Sequence, residues 1–385
     1  MGILHANQLC ANILLNANSV IKNIENTLNE FKIYIDGPIL VFSGLRKDTL
    51  KDDSETNTEI ITINVIKKFR ATVNRLSRLG TIKEIIIVFD GTAPKMKAYT
   101  QRKRRETLPI NFDIKNTFDK IKKHFKNSKQ LYVNNIYIPI SVIEPEKGEA
   151  ESIIYLNRDV NYTSVLYSKD TDLYAIAYAH QAKTNNDQVY FYNDNLATLV
   201  DMEKFKCVLS PFVFRLLLVL AGTDFNGSLF TNSMILGLMN VFTNTDTFNS
   251  HQQAKIYESI SKIHSYDEDV MKIIGEFILL LPLAKLKTNI QMPRKYKSYK
   301  ISNVFGICET LKWVIGYFNM GSEYSEYNRI IPECIIDKNE FVLEIVRING
   351  ILKGYDLTVI DKSSEILNKL PICKILRNKS NLEIN

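Results

Sequence analysis

Glu84-Ile85-Ile86-Ile87-Val88-Phe89-Asp90 is a short β-branched run that stops on a carboxylate. It is followed without a break by Gly91-Thr92-Ala93-Pro94-Lys95-Met96-Lys97-Ala98-Tyr99-Thr100-Gln101-Arg102-Lys103-Arg104-Arg105. An apolar run of this length bounded by turn residues reads as a strand buried on both faces, which is the habit of parallel sheets. The pattern repeats: Lys32-Ile33-Tyr34-Ile35 ends on Asp36, and Ser164-Val165-Leu166-Tyr167-Ser168-Lys169 ends on Asp170 and, two residues on, Asp172. In an open α/β sheet, ligands gather outside the carboxyl ends of the strands, so acids that end three strands converge in space. Glu149 and Glu151 open a helix after Pro145-Glu146-Lys147-Gly148, and Asp224 follows an apolar helix, Phe212 to Ala221, through Gly222-Thr223. Seven acids on one strand-end rim is the expectation.

Each acid has an ordinary use as well. Carboxylates in a first helical turn stabilise the macrodipole by about 0.3 to 1 kcal/mol each, Asp is a common N-cap, and Asp224 could belong to a C-terminal turn. What sets them apart is the company they keep. Lys97, Gln101, Arg104 and Arg105 recur at i, i+4, i+7, i+8, which on a helix is one face. Between Gly91 and Gln130 there are twelve Lys or Arg and three acids, in a chain whose total charge is +7. Carboxylates alone repel a polyanion, whereas carboxylates loaded with divalent cations beside a cationic phosphate clamp describe a metal-dependent nuclease.

Around this centre, strands at about 31 to 36 and 84 to 90 flank a helix near 60 to 79, a β-α-β unit with a right-handed crossover. Residues 1 to 30 read as helical from Ile13, Leu14, Val20, Ile21, Ile24 and Leu28. Lys47 to Thr58 reads as a polar loop. A second basic helix carries the stripe Ile114, Phe118, Ile121 and Phe125, opposite Lys115, Lys122, Lys123 and Lys126. With the first basic helix it makes an arch over about 91 to 130. The chain returns to the sheet near Tyr137 to Ile143, and a helix is expected from Leu173 to Ala182. Beyond it, 241 to 303 reads as a helical extension with polar and basic linkers, and 304 to 385 as a C-terminal α/β extension in which Asn349-Gly350 signals a hairpin. The nuclease domain is then 1 to 240. Cys10, Cys207, Cys308, Cys334 and Cys373 are scattered, with no C-x-x-C, so no zinc site or disulfide framework is indicated and a reducing, intracellular location, cytoplasm or nucleus, is expected. The longest apolar stretches are interrupted or too short to span a bilayer, and no membrane role is expected.

The block Asp90-Gly91-x-Ala93-Pro94-x-x-Lys97-x-x-x-Gln101-Arg102-x-Arg104-Arg105 resembles the Xrn-type 5′→3′ exoribonucleases of the PIN and flap-endonuclease-like superfamily. Met1-Gly2-Ile3, Ile35-Asp36-Gly37, Gly148-Glu149-Ala150-Glu151, Lys169-Asp170-Thr171-Asp172-Leu173 and Ala221-Gly222-Thr223-Asp224-Phe225 follow in family order, and the likeness covers roughly residues 1 to 230. The resemblance implies a twisted, mostly parallel sheet flanked by helices with a basic helical arch and a C-terminal extension. It implies two ions, with Asp36, Asp90, Glu149 and Glu151 serving one, Asp170, Asp172 and Asp224 the other, and Glu151 shared. All-oxygen ligand sets suit Mg²⁺, with Mn²⁺ able to substitute. Lys97, Gln101, Arg104 and Arg105 would hold a 5′-monophosphate on single-stranded RNA.

Two departures qualify the match. Phe42 stands where Xrn-type enzymes place a His that stacks on the first base; an aromatic ring can still stack, with Trp313 as its partner. The flap endonucleases of the wider superfamily share the acids and the arch cations, so a 5′ DNA nuclease of replication, repair or recombination is the alternative. Their duplex-gripping segment after the last acid is scarcely kept here, and no sliding-clamp motif is visible after Leu370. A catalytically inactive nucleic-acid-binding scaffold is a third reading, opposed by retention of all seven acids. The Lys, Asn and Ile-rich composition fits a compact version from an AT-rich genome such as that of a large DNA virus.

Overall fold

The structure is a computed structural model that describes residues 20–21, 25–45, 50–98, 101–102, 106, 112–168, 170–177, 187–193, 198–203, 211–226, 229 and 301–331. The chain divides into two compact units, one made chiefly of residues 14–207 with 317–329, the other chiefly of 208–316.

The first unit holds an eight-stranded sheet: β1 (Val20–Ile21), β2 (Glu30–Asp36), β3 (Thr81–Val88), β4 (Gln130–Val133), β5 (Ile136–Ile143), β6 (Thr163–Tyr167), β7 (Val189–Asn193) and β8 (Thr198–Asp201), in the order β1-β8-β7-β6-β2-β3-β5-β4. The five central strands are parallel, and β1, β4 and β8 join antiparallel at the flanks. The fold is α/β. In the first part of the chain the order runs from β2 outward to β3 and β5; β6 then returns to the other side of β2. The topological switch point therefore lies between β2 and β6, where the crevice of such sheets opens.

Helices cover both faces. α1 (Gly37–Gly44) starts directly off β2, and α2 (Ser54–Leu76) makes the crossover to β3. Ile61, Val65, Phe69, Val73 and Leu76 give α2 an apolar stripe, which packs on Ile33, Ile35, Ile85 and Ile87 of the sheet. α3 (Ile114–Asn127) lies beside it, with Phe125 edge-on to Phe69 at 4.8 Å and Ile121 buried. On the other face Tyr34, Ile86 and Leu166 are buried, where α4 (Ala150–Leu156) packs on β2 and β3. Then come α5 (Asp172–Ala177) and, in the second unit, α6 (Pro211–Ala221) and most of α7 (Ile301–Met320), with Trp313 edge-on to Phe225 at 5.2 Å.

Several expectations are corrected. Helix α2 begins at Ser54, inside the stretch read as a loop, because Asp53 caps it by accepting from the Glu55 and Thr56 amides. Val20 and Ile21 are paired to β8 as a strand, not helical. β3 ends at Val88, so Phe89 and Asp90 already belong to the following loop. The β4–β5 hairpin turns on Asn134 and Asn135, both at positive φ (50° and 65°), a conformation Asn tolerates better than most residues. As expected, α3 lays its stripe into the core and keeps its lysines outward. The Asn349-Gly350 hairpin, Arg104, Arg105 and the end of the helix expected to reach Ala182 lie outside the described residues. No described helix is long and apolar enough to cross a membrane.

Candidate metal centre

Two loops meet at the carboxyl end of the sheet. The one after β3 and the one after β5 are stapled together: the Gly91 amide donates to the Gly148 carbonyl at 2.8 Å, Thr92 to Glu146 at 2.9 Å and Gly148 to Thr92 at 3.1 Å. A side chain at Gly91 would start 2.5 Å from the Pro145 carbonyl oxygen, and Gly148 sits at φ 105°, so both positions require glycine. This crossing delivers Asp90 to the start of α4, where its Oδ1 accepts from the Ala150 amide at 2.8 Å. Glu149 is the N-cap of α4 and Glu151 lies in its first turn, both buried.

Across the switch point a second set is linked by hydrogen bonds. Asp36 caps α1, its Oδ1 accepting from the Ile39 amide at 3.0 Å, while its Oδ2 accepts from the Ser168 hydroxyl at 2.8 Å. Ser168 Oγ in turn accepts from the Asp170 amide at 3.0 Å, and Asp170 Oδ1 from the Asp172 amide at 3.1 Å. The motif reading passes over Ser168, although a hydroxyl between a strand end and an acid is a visible signal. Carboxylate oxygens of Glu151, Asp170 and Asp172 lie within 4.8 Å of one another.

The two sets feel each other electrostatically. Burial, then the Asp90 charge, pushes Asp36 up to about 8, against the hydrogen bonds from Ile39 and Ser168. Asp90 is pushed up to about 6 by the surrounding protein and then by Glu149, with Ala150 and Lys97 opposing. Asp90 still has an exposed face, so its penalty is softer than that of Asp36, which is 2% exposed. Glu151 is held well above the usual carboxylate range by burial, Glu149 and Asp170. Six of the seven predicted acids therefore form one cluster short of positive charge. An oxygen-only donor set of this kind fits a hard divalent cation. Asp224 follows α6 in a turn of the second unit, and is described only with that unit.

The basic stretch is helical where it is described, at Ala98, Gln101, Arg102 and Glu106, and Pro94 opens a 3₁₀ turn, Lys95–Lys97, that leads into it, so Lys97 sits in the turn before the regular helix. It is 3% exposed and donates to Glu149 Oε1. Gln101 is half-buried. Phe42, on α1, is 42% exposed and meets Phe118 edge-on at 5.8 Å. Trp313, expected as its stacking partner, is 1% exposed and packed in the second unit.

Two residues without any motif to mark them complete the centre. The last turn of α7, which belongs to the first unit, places Tyr317, whose hydroxyl donates to Glu149 Oε2 at 2.6 Å. Tyr327 accepts from the Gly148 amide at 3.1 Å and donates to the Thr92 carbonyl at 2.6 Å, bridging the two stapled loops. Burial, then the nearby Glu149, raises both phenols, which keeps them protonated donors.

No family model matches the chain, and no curated protein matches it. Among solved structures, it is similar to the catalytic core of Rad2 in complex with DNA substrate, at 15% identity and TM-score 0.41, over 94% of this chain and 97% of that one. A second Rad2 complex gives 16% and 0.42, over 93% and 97%. The T5 D15 protein co-crystallised with metal ions gives 10% and 0.27, over 91% and 99%.

Proposed function

We propose that the chain is a divalent-metal-dependent nuclease that hydrolyses phosphodiester bonds near a 5′ end. The observation that carries this reading is the convergence of Asp36, Asp90, Glu149, Glu151, Asp170 and Asp172 at the switch point of the sheet, with three carboxylates close enough to share one ion. Glu151, Asp170 and Asp172 would hold a dication, Mg²⁺ by the hardness of the donors, and Asp36 and Asp90 would border a second. Bound there, such ions supply an activated water and charge stabilisation for the leaving oxygen. The chain's own part is to fix the acids through Ser168, Ile39 and Ala150, and to set a buried ammonium, Lys97, among them as a counter-charge for an incoming phosphate.

Two substrates are in view. Both readings use the cations Lys97, Arg104 and Arg105, but the RNA exonuclease reading also asks Trp313 to pair with Phe42 in stacking on a base, and Trp313 is buried at 1% exposure. That observation favours the flap-type DNA nuclease, and we place it first. Digestion of matched 5′-phosphorylated single-stranded RNA, single-stranded DNA and a DNA flap duplex in Mg²⁺ tests the choice. The flap duplex is expected to be cut fastest at its branch. Faster decay of the RNA, dependent on its 5′-monophosphate, would reverse the order, and no cleavage of any of the three with Mg²⁺ or Mn²⁺ would overturn the nuclease reading itself.

A further inference from the structure

Glu149 is the acid whose two oxygens are spoken for from opposite sides. Lys97 donates to Oε1 and Tyr317 donates to Oε2, and all three side chains are buried. Tyr317 comes from a segment 168 residues further along the chain. That segment is anchored: the Tyr317 ring lies 6.0 Å from that of Tyr327, which bridges Thr92 and Gly148. Gly321 packs where a side chain would start 3.1 Å from Ser152 Cβ, on the first turn of α4. An isolated carboxylate among Asp90, Glu151 and Asp170 would swing away from its neighbours, since like charges repel. Two donors converging on it hold it in place.

We propose that Tyr317 is a positioning residue of the metal centre: by fixing Glu149 together with Lys97, it sets the orientation of both groups toward the ions and the scissile phosphate. This deepens the nuclease reading and rests on it for the step that involves substrate. It makes residues 317 to 327 part of the working centre and not an appendage. Hydrogen-bond donors behind the groups that face an ion tune affinity and activity by about 10- to 100-fold.

The test is Tyr317→Phe in the full chain, which removes one oxygen and leaves the ring packing intact. Calorimetric Mn²⁺ binding is expected to weaken by about tenfold. Cleavage at saturating substrate is expected to fall by a similar factor, with a higher Mg²⁺ concentration for half-maximal rate and little change in KM. In a Glu149→Ala background the same substitution should add nothing, because Tyr317 acts through Glu149. Unchanged or tighter Mn²⁺ binding, or an equal additional loss in the Glu149→Ala background, overturns the proposal, as does a fall in melting temperature with no change in either readout. Should Tyr317→Phe not fold, Glu149→Gln gives the same test from the acceptor's side, since an amide cannot accept from both donors with two oxygens; it should weaken Mn²⁺ about tenfold, and unaltered binding refutes the idea. A wild-type protein that binds Mn²⁺ but cuts nothing would sink the nuclease reading while leaving the Mn²⁺ arm decisive for Tyr317.

Discussion

Raising the pH should destabilise the metal-free protein, which is the reverse of the trend set by ordinary paired carboxylates. Asp36 is held at about 8 against 3.8 in an unfolded chain, and Glu151 is raised in the same direction. Both groups bind more protons folded than unfolded; the stability that Asp36 allows is complete below about pH 4 and is lost as pH climbs to about 8, and Glu151 acts in the same direction. Moving Asp36 from 3.8 to about 8, at about 1.4 kcal/mol per pH unit, sets a ceiling of about 6 kcal/mol. Most of that is lost below about pH 6.5; between about pH 6.5 and 8.5 Asp36 alone can lose at most about 2 kcal/mol, and since Asp36 and Asp90 share the repulsion that raises each of them, a net loss of about 1 to 2 kcal/mol is expected there. Asp90 adds little of its own, because solvent screens its exposed face. For a unit of this size that is about 2 to 8 °C in melting temperature. His124 works in the opposite sense: burial lowers it below 6.5, so its contribution is present above 6.5 and lost as pH falls. Melts in chelator between about pH 6.5 and 8.5 therefore isolate the acid cluster. Saturating Mg²⁺ at the upper end should restore about 2.7 kcal/mol at a hundredfold excess over its Kd. A melting temperature that is flat or rises across this window in chelator, or an Asp36→Asn variant with an unaltered slope, would show that the Asp36 carboxyl is not held protonated by the fold.

Lys97→Ala removes the buried counter-charge of Glu149, and cleavage should fall at least tenfold on every substrate; a loss confined to 5′-monophosphate ends would instead restore the cradle reading. Arg158→Ala should cost about 3 to 5 kcal/mol in denaturant unfolding, because the guanidinium makes bonds of 3.1 and 2.6 Å to the buried Asp187 and one of 2.7 Å to the Tyr155 carbonyl. Activity per folded molecule should be unchanged, and a loss below about 1 kcal/mol would show that Asp187 finds other donors. Phe42→Ala should slow cleavage of single strands by a factor matching about 1 kcal/mol of lost stacking, with Phe42→His recovering most of it; a lower melting temperature with unaltered rates would leave Phe42 as the packing partner of Phe118 alone.

The acids are legible in the sequence because parallel strands buried on both faces leave uninterrupted apolar runs, and three of those runs, β2, β3 and β6, stop on or shortly before an Asp. The glycines around them are legible only as motif letters; their reason, the stapling of the loops at Gly91 and Gly148, is tertiary. Helical spacing finds the basic helix but says nothing of the burial of Lys97, which sits in the 3₁₀ turn that Pro94 opens before it. Asp53 conceals the start of α2: polar turns precede the apolar stripe, so the cap is the one usable signal. Asn134-Asn135 is a turn signal that the surrounding basic helices obscure, and β7 and β8 are too short to show a period. Tyr317 and Tyr327 have no local signature at all, since what marks them is the acid and the loops they reach across the fold.

Whether the clustered acids cut with the help of bound metal is measured most directly by Asp170→Ala. Asp170 offers an oxygen to the Glu151, Asp170 and Asp172 set, and its bonds to Ser168 and Asp172 stay within the centre. Single-turnover cleavage of a 5′-phosphorylated flap duplex, read beside equilibrium binding of the same duplex in Ca²⁺, should show cutting reduced by at least about a thousandfold, about 4 kcal/mol, with binding within a few-fold of wild type. Cutting at near wild-type rate in Mg²⁺ would contradict the assignment of these acids to a metal-dependent cutting centre.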